Sequence, residues 1–262
     1  MDHTATAELL DRADKALALP RLGGMARADG VLIVSERFWA FARRDGTVHE
    51  GRMRQPPAVF RVLPLVRGLV RLGASLSPLF RRTGVARGRE RFLLAVAVLA
   101  PFLFFVLPHG VSLVAAYAVT IGLLCWVLRG RTLFLHGAEH RAIAAAEERR
   151  LARTWTGEAR PSRFSPRCGT NFAALVLPVA LGADRVWPLP GAFYTPIAVT
   201  LVSLAVTMEL WQLVQASSHR VARALLLPGL ALQRLTTREP RLEETQLALT
   251  AVAAVLRCEH AV

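Results

Sequence analysis

Residues 133–141 read Leu-Phe-Leu-His-Gly-Ala-Glu-His-Arg, and they place a His-x-x-Glu-His pattern directly before an alanine-rich stretch. Alanine is the strongest helix former, so the segment is predicted to be helical. In a helix, His136 and His140 are one turn apart and Glu139 follows His136 by three positions. All three side chains then project from one face. Two imidazoles with this spacing can bind one metal ion.

The residue order predicts a divalent-metal site, most naturally one for zinc. Neutral imidazoles supply two nitrogen ligands, and a neighbouring carboxylate can take a proton from water. This order is that of the inverted zinc-hydrolase signature, in which His136 and His140 are ligands and Glu139 is the base. The alternative is a hydrogen-bonded polar cluster without a metal ion. Zinc needs a third protein ligand, which the pattern itself does not supply.

Two residues elsewhere in the chain are candidates for that third ligand. Glu209 lies within an apolar stretch, where a carboxylate is costly unless it is paired or coordinates a metal. It is the preferred third ligand, and an ion pair with an arginine such as Arg129 or Arg220 is the alternative. Cys168 follows Arg167, which favours a thiolate that acts as a ligand or a nucleophile. A buried cysteine that packs as a small apolar residue is the other interpretation.

The composition predicts a mainly α-helical, polytopic membrane protein. Of the 262 residues, 53% are apolar. Four apolar stretches indicate about four transmembrane helices with additional interfacial helices, at Phe92–Leu107, Val111–Leu128, Phe172–Leu181 and Phe193–Val214.

The net charge of +14 is carried largely by arginines that lie before the first apolar stretch, between the second and third, and after the fourth. By the positive-inside rule, both termini and the central loop are predicted to be cytoplasmic, in a multi-pass protein of the bacterial inner (plasma) membrane. The arginines form no single patch, so they indicate attraction to anionic membrane lipids rather than to nucleic acid. The three cysteines fit a reducing compartment, and no disulfide is expected.

The predicted organisation begins with a small β-element. Val31–Val34 and Phe38–Phe41 are predicted strands, and Asp45-Gly46 is predicted to form a hairpin turn. The predicted regions are a cytosolic N-terminal segment with this element (1–55), an interfacial amphipathic helix (56–90), a transmembrane hairpin (91–128), a cytosolic region with the His-x-x-Glu-His pattern and Cys168 (129–171), a second transmembrane hairpin (172–215), and a re-entrant or interfacial segment with a C-terminal cytosolic helix (216–262).

Three blocks of sequence resemble the signatures of the YqhQ-like family of bacterial membrane proteins. They are His136–His140, Arg167–Thr170, and Pro228-Gly229 together with Leu232–Pro240. Gly23-Gly24 and Pro64–Gly68 also resemble N-terminal blocks of that family. The resemblance implies a protein of unknown function catalogued among predicted metal-dependent enzymes.

The chain departs from the family pattern at several positions. Ser165 stands where the family usually has histidine, and Met208 stands where it usually has tyrosine. The chain is therefore similar to a divergent member. If the missing histidine is a ligand, this chain has lost one.

Two functions follow from these patterns. The first is a metal-dependent hydrolase at the cytoplasmic membrane face, with Glu139 as base and Arg167 or Arg238 stabilising an anionic substrate or transition state. Its location favours a lipid, lipid-linked or membrane-peptide substrate. The second is a non-enzymatic assembly factor or an accessory partner of another membrane protein complex. A transporter is less favoured, because Glu209 alone is ionisable within a convincing span and no repeated half is evident.

Overall fold

A computed structural model describes residues 3–80, 85–86, 88–103, 111, 114–115, 118–119, 122, 129–188, 194–217 and 219–260. The helices and strands are, in chain order, α1 (His3–Asp14), β1 (Gly23–Arg27), β2 (Gly30–Val34), β3 (Phe38–Arg43), β4 (Val48–Arg52), α2 (Ala58–Val62), α3 (Val66–Phe80), α4 (Gly88–Leu103), α5 (Thr132–Glu147), α6 (Leu151–Trp155), α7 (Gly169–Val186), α8 (Thr195–Ala216), α9 (Arg220–Ala224), α10 (Leu227–Thr236) and α11 (Leu242–His260).

The four strands form an antiparallel sheet in the order β1-β2-β3-β4. Side chains alternate between its two faces, as the strand period requires. Val31 and Ile33 join a core with α5 and α11, whereas Leu32 and Phe41 join a second core that contains Leu79 from the end of α3. The sheet is therefore covered on both faces, and β1 lies against α5.

The sequence predicted part of this sheet. The strands predicted at Val31–Val34 and Phe38–Phe41 are confirmed as β2 and β3, and Gly46 adopts the left-handed φ of +85° that the predicted turn needs. The N-terminal element is nevertheless larger than the expected hairpin, because β1 and β4 extend it on both edges.

The core between α5 and α11 is built from small side chains. Buried alanines line both helices, at positions 138, 142, 145 and 146 of α5 and 248, 251, 253 and 254 of α11. Small residues let helix backbones approach closely. Gly137 of α5 lies at another close approach, since a Cβ atom there would lie 2.2 Å from the carbonyl oxygen of Arg238, in the segment between α10 and α11.

A second group of helices, α7, α8, α10 and α3, packs beside this core. Helix α7 contacts both α8 and α10, and α3 contacts α8. Gly68 of α3 lies against Met208 of α8, where a Cβ atom would be 2.6 Å from the Met208 Cβ. Many apolar side chains on α7, α8 and α10 are exposed, among them Leu181, Leu213 and Leu235.

The prediction of about four transmembrane helices is corrected by the structure. Among the described residues, α8 alone is long and apolar enough to cross a membrane. Helix α7 contains the third predicted span but carries Asp184 and Arg185 near its end, so its apolar part is shorter than the roughly 20 residues that a span needs. Helix α4 covers the first predicted span only as far as Leu103, and most of Val111–Leu128 lies outside the described residues.

The close approach at Gly137 generates a stability prediction. Gly137→Ala should destabilise the fold by about 1–3 kcal/mol, because the new methyl group meets a backbone carbonyl that no rotamer change can move. Thermal unfolding of the purified protein measures this. The matched control is Gly182→Ala, whose Cβ atom meets no described atom within 4 Å. The control should be neutral or stabilising by up to about 1 kcal/mol, and equal melting temperatures for the two variants would contradict the prediction.

Candidate metal centre

His136 and His140 lie on the buried face of α5, and the helix predicted for this segment is confirmed. Their ring centroids are 4.4 Å apart in an edge-on arrangement. The Nδ1 atom of His136 is 2.8 Å from the carbonyl oxygen of Thr236, and the Nδ1 atom of His140 is 2.7 Å from that of Arg163. A carbonyl oxygen can only accept, so both Nδ1 atoms donate and both Nε2 atoms carry a lone pair.

Cys168 completes the cluster. It is the N-cap residue of α7, and its Sγ atom lies 3.3 Å from Nε2 of His136. The ligand atoms of His136, His140 and Cys168 lie within 4.8 Å of one another. Among the described residues, the buried Nε2 atom of His140 has no hydrogen-bond partner. A buried, unpartnered lone pair beside a thiol and a second imidazole fits a metal ion, since a ligating histidine usually donates its other N–H to a carbonyl or carboxylate.

The loop that carries Cys168 is fixed by two buried amides. Gln233 of α10 accepts from the N–H of Ser165 at 2.8 Å and donates to the Ser165 carbonyl at 2.8 Å. Asn171 donates to the same carbonyl at 2.9 Å. Gly229 leaves room for Asn171, because a Cβ atom there would lie 2.1 Å from its Oδ1. Sequence reasoning missed Gln233 and Asn171, although both lie in or beside the family-like blocks.

A second network holds the carbonyl that binds His140. The buried Arg141 side chain donates to the carbonyl of Pro161 at 3.1 Å and to Glu239 at 2.6 Å. Arg163 donates to the Thr237 carbonyl at 3.0 Å, and its guanidinium lies 3.5 Å from Glu239. These contacts tie the 161–163 segment to the end of α10. The Arg163 carbonyl is thereby held beside His140.

Burial shifts the pKa of each of the three candidate ligand groups in the direction that favours its uncharged form. Desolvation lowers the pKa of His136, and desolvation together with the charge of His136 lowers that of His140 to about 3. Desolvation also raises the pKa of Cys168 to about 11. A nucleophilic cysteine needs a lowered pKa, so this raised pKa argues against Cys168 as a free nucleophile. As a metal ligand, Cys168 would lose its thiol proton on binding the ion.

Glu139 faces β1. This strand contains none of the residues from which the metal site was predicted. Its carboxylate accepts from the N–H of Ala26, and burial raises its pKa to about 8 despite this bond. Gly24 makes the contact possible, because a Cβ atom there would lie 2.8 Å from Cγ and Oε1 of Glu139. The N-terminal sheet thus provides one wall of the site.

A cavity of about 810 Å³ opens beside the cluster. His136, Glu139, His140 and Cys168 line it together. The cavity also has walls from β1, α3 and α4. Of the residues that the structure describes, the arginines that line it are Arg27, Arg129 and Arg167. Arg27 and Arg129 were not singled out as site residues from the sequence. Such a volume is typical of small-molecule sites.

Two residues proposed from the sequence are placed elsewhere. Glu209 accepts from Nε of Arg67 at 2.9 Å and from the N–H of Leu65 at 3.1 Å, so it joins α8 to α3 and does not line the cavity. The structure thus shows the alternative that the sequence left open, an ion pair with an arginine, although the partner is Arg67 rather than Arg129 or Arg220. Arg238 is exposed and also lies away from the cavity lining. Arg167 does line it, with its guanidinium 2.6 Å from Glu147.

Comparison with known proteins places the chain in a family. The family model described as "Protein of unknown function (DUF1385)" matches residues 110–258, which is more than half of the chain. The chain belongs to this DUF1385 family. The matched range contains all three ligand candidates, whereas β1 precedes it.

A curated relative supports the YqhQ-like resemblance. The chain is 32% identical over 133 residues to the "Uncharacterized protein YqhQ" of Bacillus subtilis (strain 168). This match covers 49% of the chain and 42% of the relative's length, and it confirms the YqhQ-like resemblance. No solved structure matches the chain.

The buried carboxyl group generates a pH prediction for the metal-free protein. Because the pKa of Glu139 rises from 4.5 to about 8 on folding, the native state binds more protons than the unfolded state between these values. Its contribution therefore lowers stability as the pH rises through this window, by roughly 1.4 kcal/mol per pH unit at most. The free energy of unfolding of Glu139→Gln, relative to that of the wild type, should therefore rise progressively from pH 5 to pH 8. Chemical denaturation after chelator treatment measures the difference, and a constant difference across the window would refute the prediction.

Proposed function

We propose that the protein is a metal-dependent hydrolase whose ion is held by His136, His140 and Cys168. The observation that carries the proposal is the convergence of two Nε2 lone pairs and one Sγ atom at the wall of a cavity, with both Nδ1 atoms anchored to carbonyls. Three protein ligands beside an open space are the arrangement of catalytic zinc sites. Structural zinc sites use four ligands instead.

The donor set decides what the ion can contribute. A divalent ion bound by these residues supplies Lewis-acid activation of water and polarisation of an ester or phosphoester. Two histidines and a cysteine also hold copper in electron-transfer proteins. Zinc suits this site better, because the buried Glu139 lies in the same cavity and can act as the general base that activates water for hydrolysis.

Glu139 is the proton acceptor of the proposed reaction. Its pKa of about 8 in the metal-free protein is near the operating pH, where a general base is most effective. The N–H of Ala26 fixes the carboxylate, and Gly24 keeps the approach from β1 open. Glu139 can thus take a proton from the attacking water and pass it to the leaving group.

The site is proposed to work at the cytoplasmic face of the bacterial plasma membrane, with both termini in the cytoplasm. Helix α8 is long enough to enter the bilayer, and α7 packs against it. Exposed apolar side chains on these two helices suit a lipid environment, namely Leu177, Leu181, Val186, Leu201, Val202, Val206 and Leu213. The net charge of +14 favours anionic lipids.

The first test of this function is metal content. The purified wild type should contain about one equivalent of zinc, measured by elemental analysis. The double variant His136→Ala, His140→Ala should contain none, because it loses two of the three ligands. Glu139→Gln should retain the ion. His49→Ala on β4, outside the cavity lining, is the control and should also retain it.

Catalysis is tested in the same preparations. Wild-type protein incubated with bacterial lipid extract should release zinc-dependent hydrolysis products detectable by mass spectrometry. Zinc-loaded Glu139→Gln should release at least about a hundredfold less, the usual contribution of a general base. A wild type without metal would overturn the hydrolase and favour a non-enzymatic membrane module. Copper in place of zinc would overturn the hydrolytic reaction but would leave the proposed metal ligands standing.

A change at Gln233 tests whether its hydrogen bonds position Cys168 for metal binding or only stabilise the fold. Gln233→Leu removes both hydrogen bonds to Ser165 and frees the loop that carries Cys168. Zinc affinity should fall by about 10–100-fold, as it does for other outer-shell changes. Gln246→Leu is the matched control, because it removes one side-chain bond to the Trp155 carbonyl away from the cavity. Competition with a chromophoric chelator measures both affinities, and equal losses would show that Gln233 has no specific role.

A further inference from the structure

The cavity beside the candidate metal centre is lined by both polar and apolar side chains. Its polar lining consists of the three ligand residues, Glu139, Ser165, Thr170, Thr132, Glu90 and the three arginines Arg27, Arg129 and Arg167. Its apolar lining consists of Leu22, Met25, Leu79, Leu93 and Ile143. A ligand with both an anionic and an apolar part suits this lining.

The hydrogen-bond donors of the lining suit an anion. Among the described residues, the lining has three guanidinium groups and the carboxyl groups of Glu90 and Glu139. Arg27 pairs with Glu90 and Asp29, and Arg167 pairs with Glu147. Arg27 is nine-tenths buried, and its Nε atom makes no hydrogen bond to the described residues although Asp29 lies 3.4 Å away. A guanidinium has five N–H donors, so an ion pair with one carboxylate leaves donors for a second anion. Phosphate suits such a fork.

Two of the apolar lining residues have exposed apolar neighbours on the surface of the molecule. Leu79 and Leu93 line the cavity, and their chain neighbours Phe80 and Phe92 are 44% and 67% exposed. Val96 and Leu99 are also exposed and follow Phe92 at helical spacing along α4. Exposed apolar side chains thus extend from the cavity wall along α4, in a direction that an alkyl chain can follow.

We propose that the cavity binds a membrane phospholipid, with the phosphate beside Arg129 and Arg167 and the first part of an acyl chain against Leu79 and Leu93. The role of this lipid as the hydrolysed substrate rests on the proposed function, whereas its binding rests on the cavity alone. A soluble phosphate compound has the same anionic chemistry, but it leaves the apolar wall unfilled.

Native mass spectrometry of the full-length protein in a neutral detergent tests the proposal. Titration with lysophosphatidylglycerol should produce a complex with one bound lipid. The double variant Arg129→Gln, Arg167→Gln should lower the apparent affinity at least about tenfold, the effect of losing one or more charge-assisted hydrogen bonds. Monoacylglycerol with the same chain should bind at least about tenfold more weakly than the lysophospholipid, because it lacks the phosphate.

The matched control changes two arginines outside the cavity. Arg150→Gln, Arg153→Gln removes the same charge from exposed side chains that pair with Glu148 and Glu158. This variant should bind lysophosphatidylglycerol like the wild type. An equal loss in the control would show general attraction to a basic surface and overturn the proposal.

The remaining outcomes distinguish failure of the lipid-binding proposal from failure of the hydrolase proposal. Displacement of the lipid by millimolar inorganic phosphate would identify a soluble phosphate compound and overturn the lipid. Equal binding of monoacylglycerol would overturn the role of the arginines. Zinc-loaded protein that does not bind lysophosphatidylglycerol would refute the ligand and leave the metal site standing. Wild type that is purified without any bound metal but binds the lipid would refute the hydrolase and leave the ligand standing.

Discussion

Two hydrogen bonds to backbone carbonyls determine the chemistry of the centre. They fix Nδ1 of His136 to Thr236 and Nδ1 of His140 to Arg163, and these partners lie 100 and 23 residues along the chain. Because each carbonyl can only accept, each Nε2 atom is left with its lone pair directed at the cluster. If either carbonyl moved, the tautomer would no longer be fixed. The networks around Arg141 and Gln233 hold the chain segments that carry these carbonyls and Cys168.

The sequence predicts the part of the site that one helix encodes. The spacing of His136, Glu139 and His140 determines a shared face as soon as the segment is helical, and the alanines that follow favour the helix. Cys168 could be proposed, but not chosen over Glu209, because only the tertiary structure brings α7 to α5. The carbonyls of Thr236 and Arg163 could not be predicted, since every residue has a carbonyl and nothing in its side chain marks it as an acceptor.

The fold was predictable to a similar extent. β2 and β3 are rich in branched and aromatic residues and were recognised, whereas β1 begins with Gly23-Gly24 and β4 contains charged residues, so neither has a strong strand propensity. β1 is a strand because it pairs with β2 and packs on α5, which is a tertiary effect. The number of spans was overestimated for a related reason. An apolar stretch such as Phe172–Leu181 gains stability equally from a neighbouring helix and from lipid, and composition does not distinguish the two.

Glu209 shows that a carboxylate on an apolar helix indicates a need for a partner but does not identify a metal ligand. An ionised group on an apolar helix requires a cationic or hydrogen-bonding partner, and a metal ion and an arginine satisfy that requirement equally. Arg67 and the N–H of Leu65 fill the role here, and Leu65 adopts a left-handed φ of +66° that costs a non-glycine residue on the order of 1–3 kcal/mol. The bond to Glu209 offsets part of that cost and joins the start of α3 to α8. Since the other end of α3 carries Leu79 to the cavity wall, Glu209 helps to position the site without being one of its ligands.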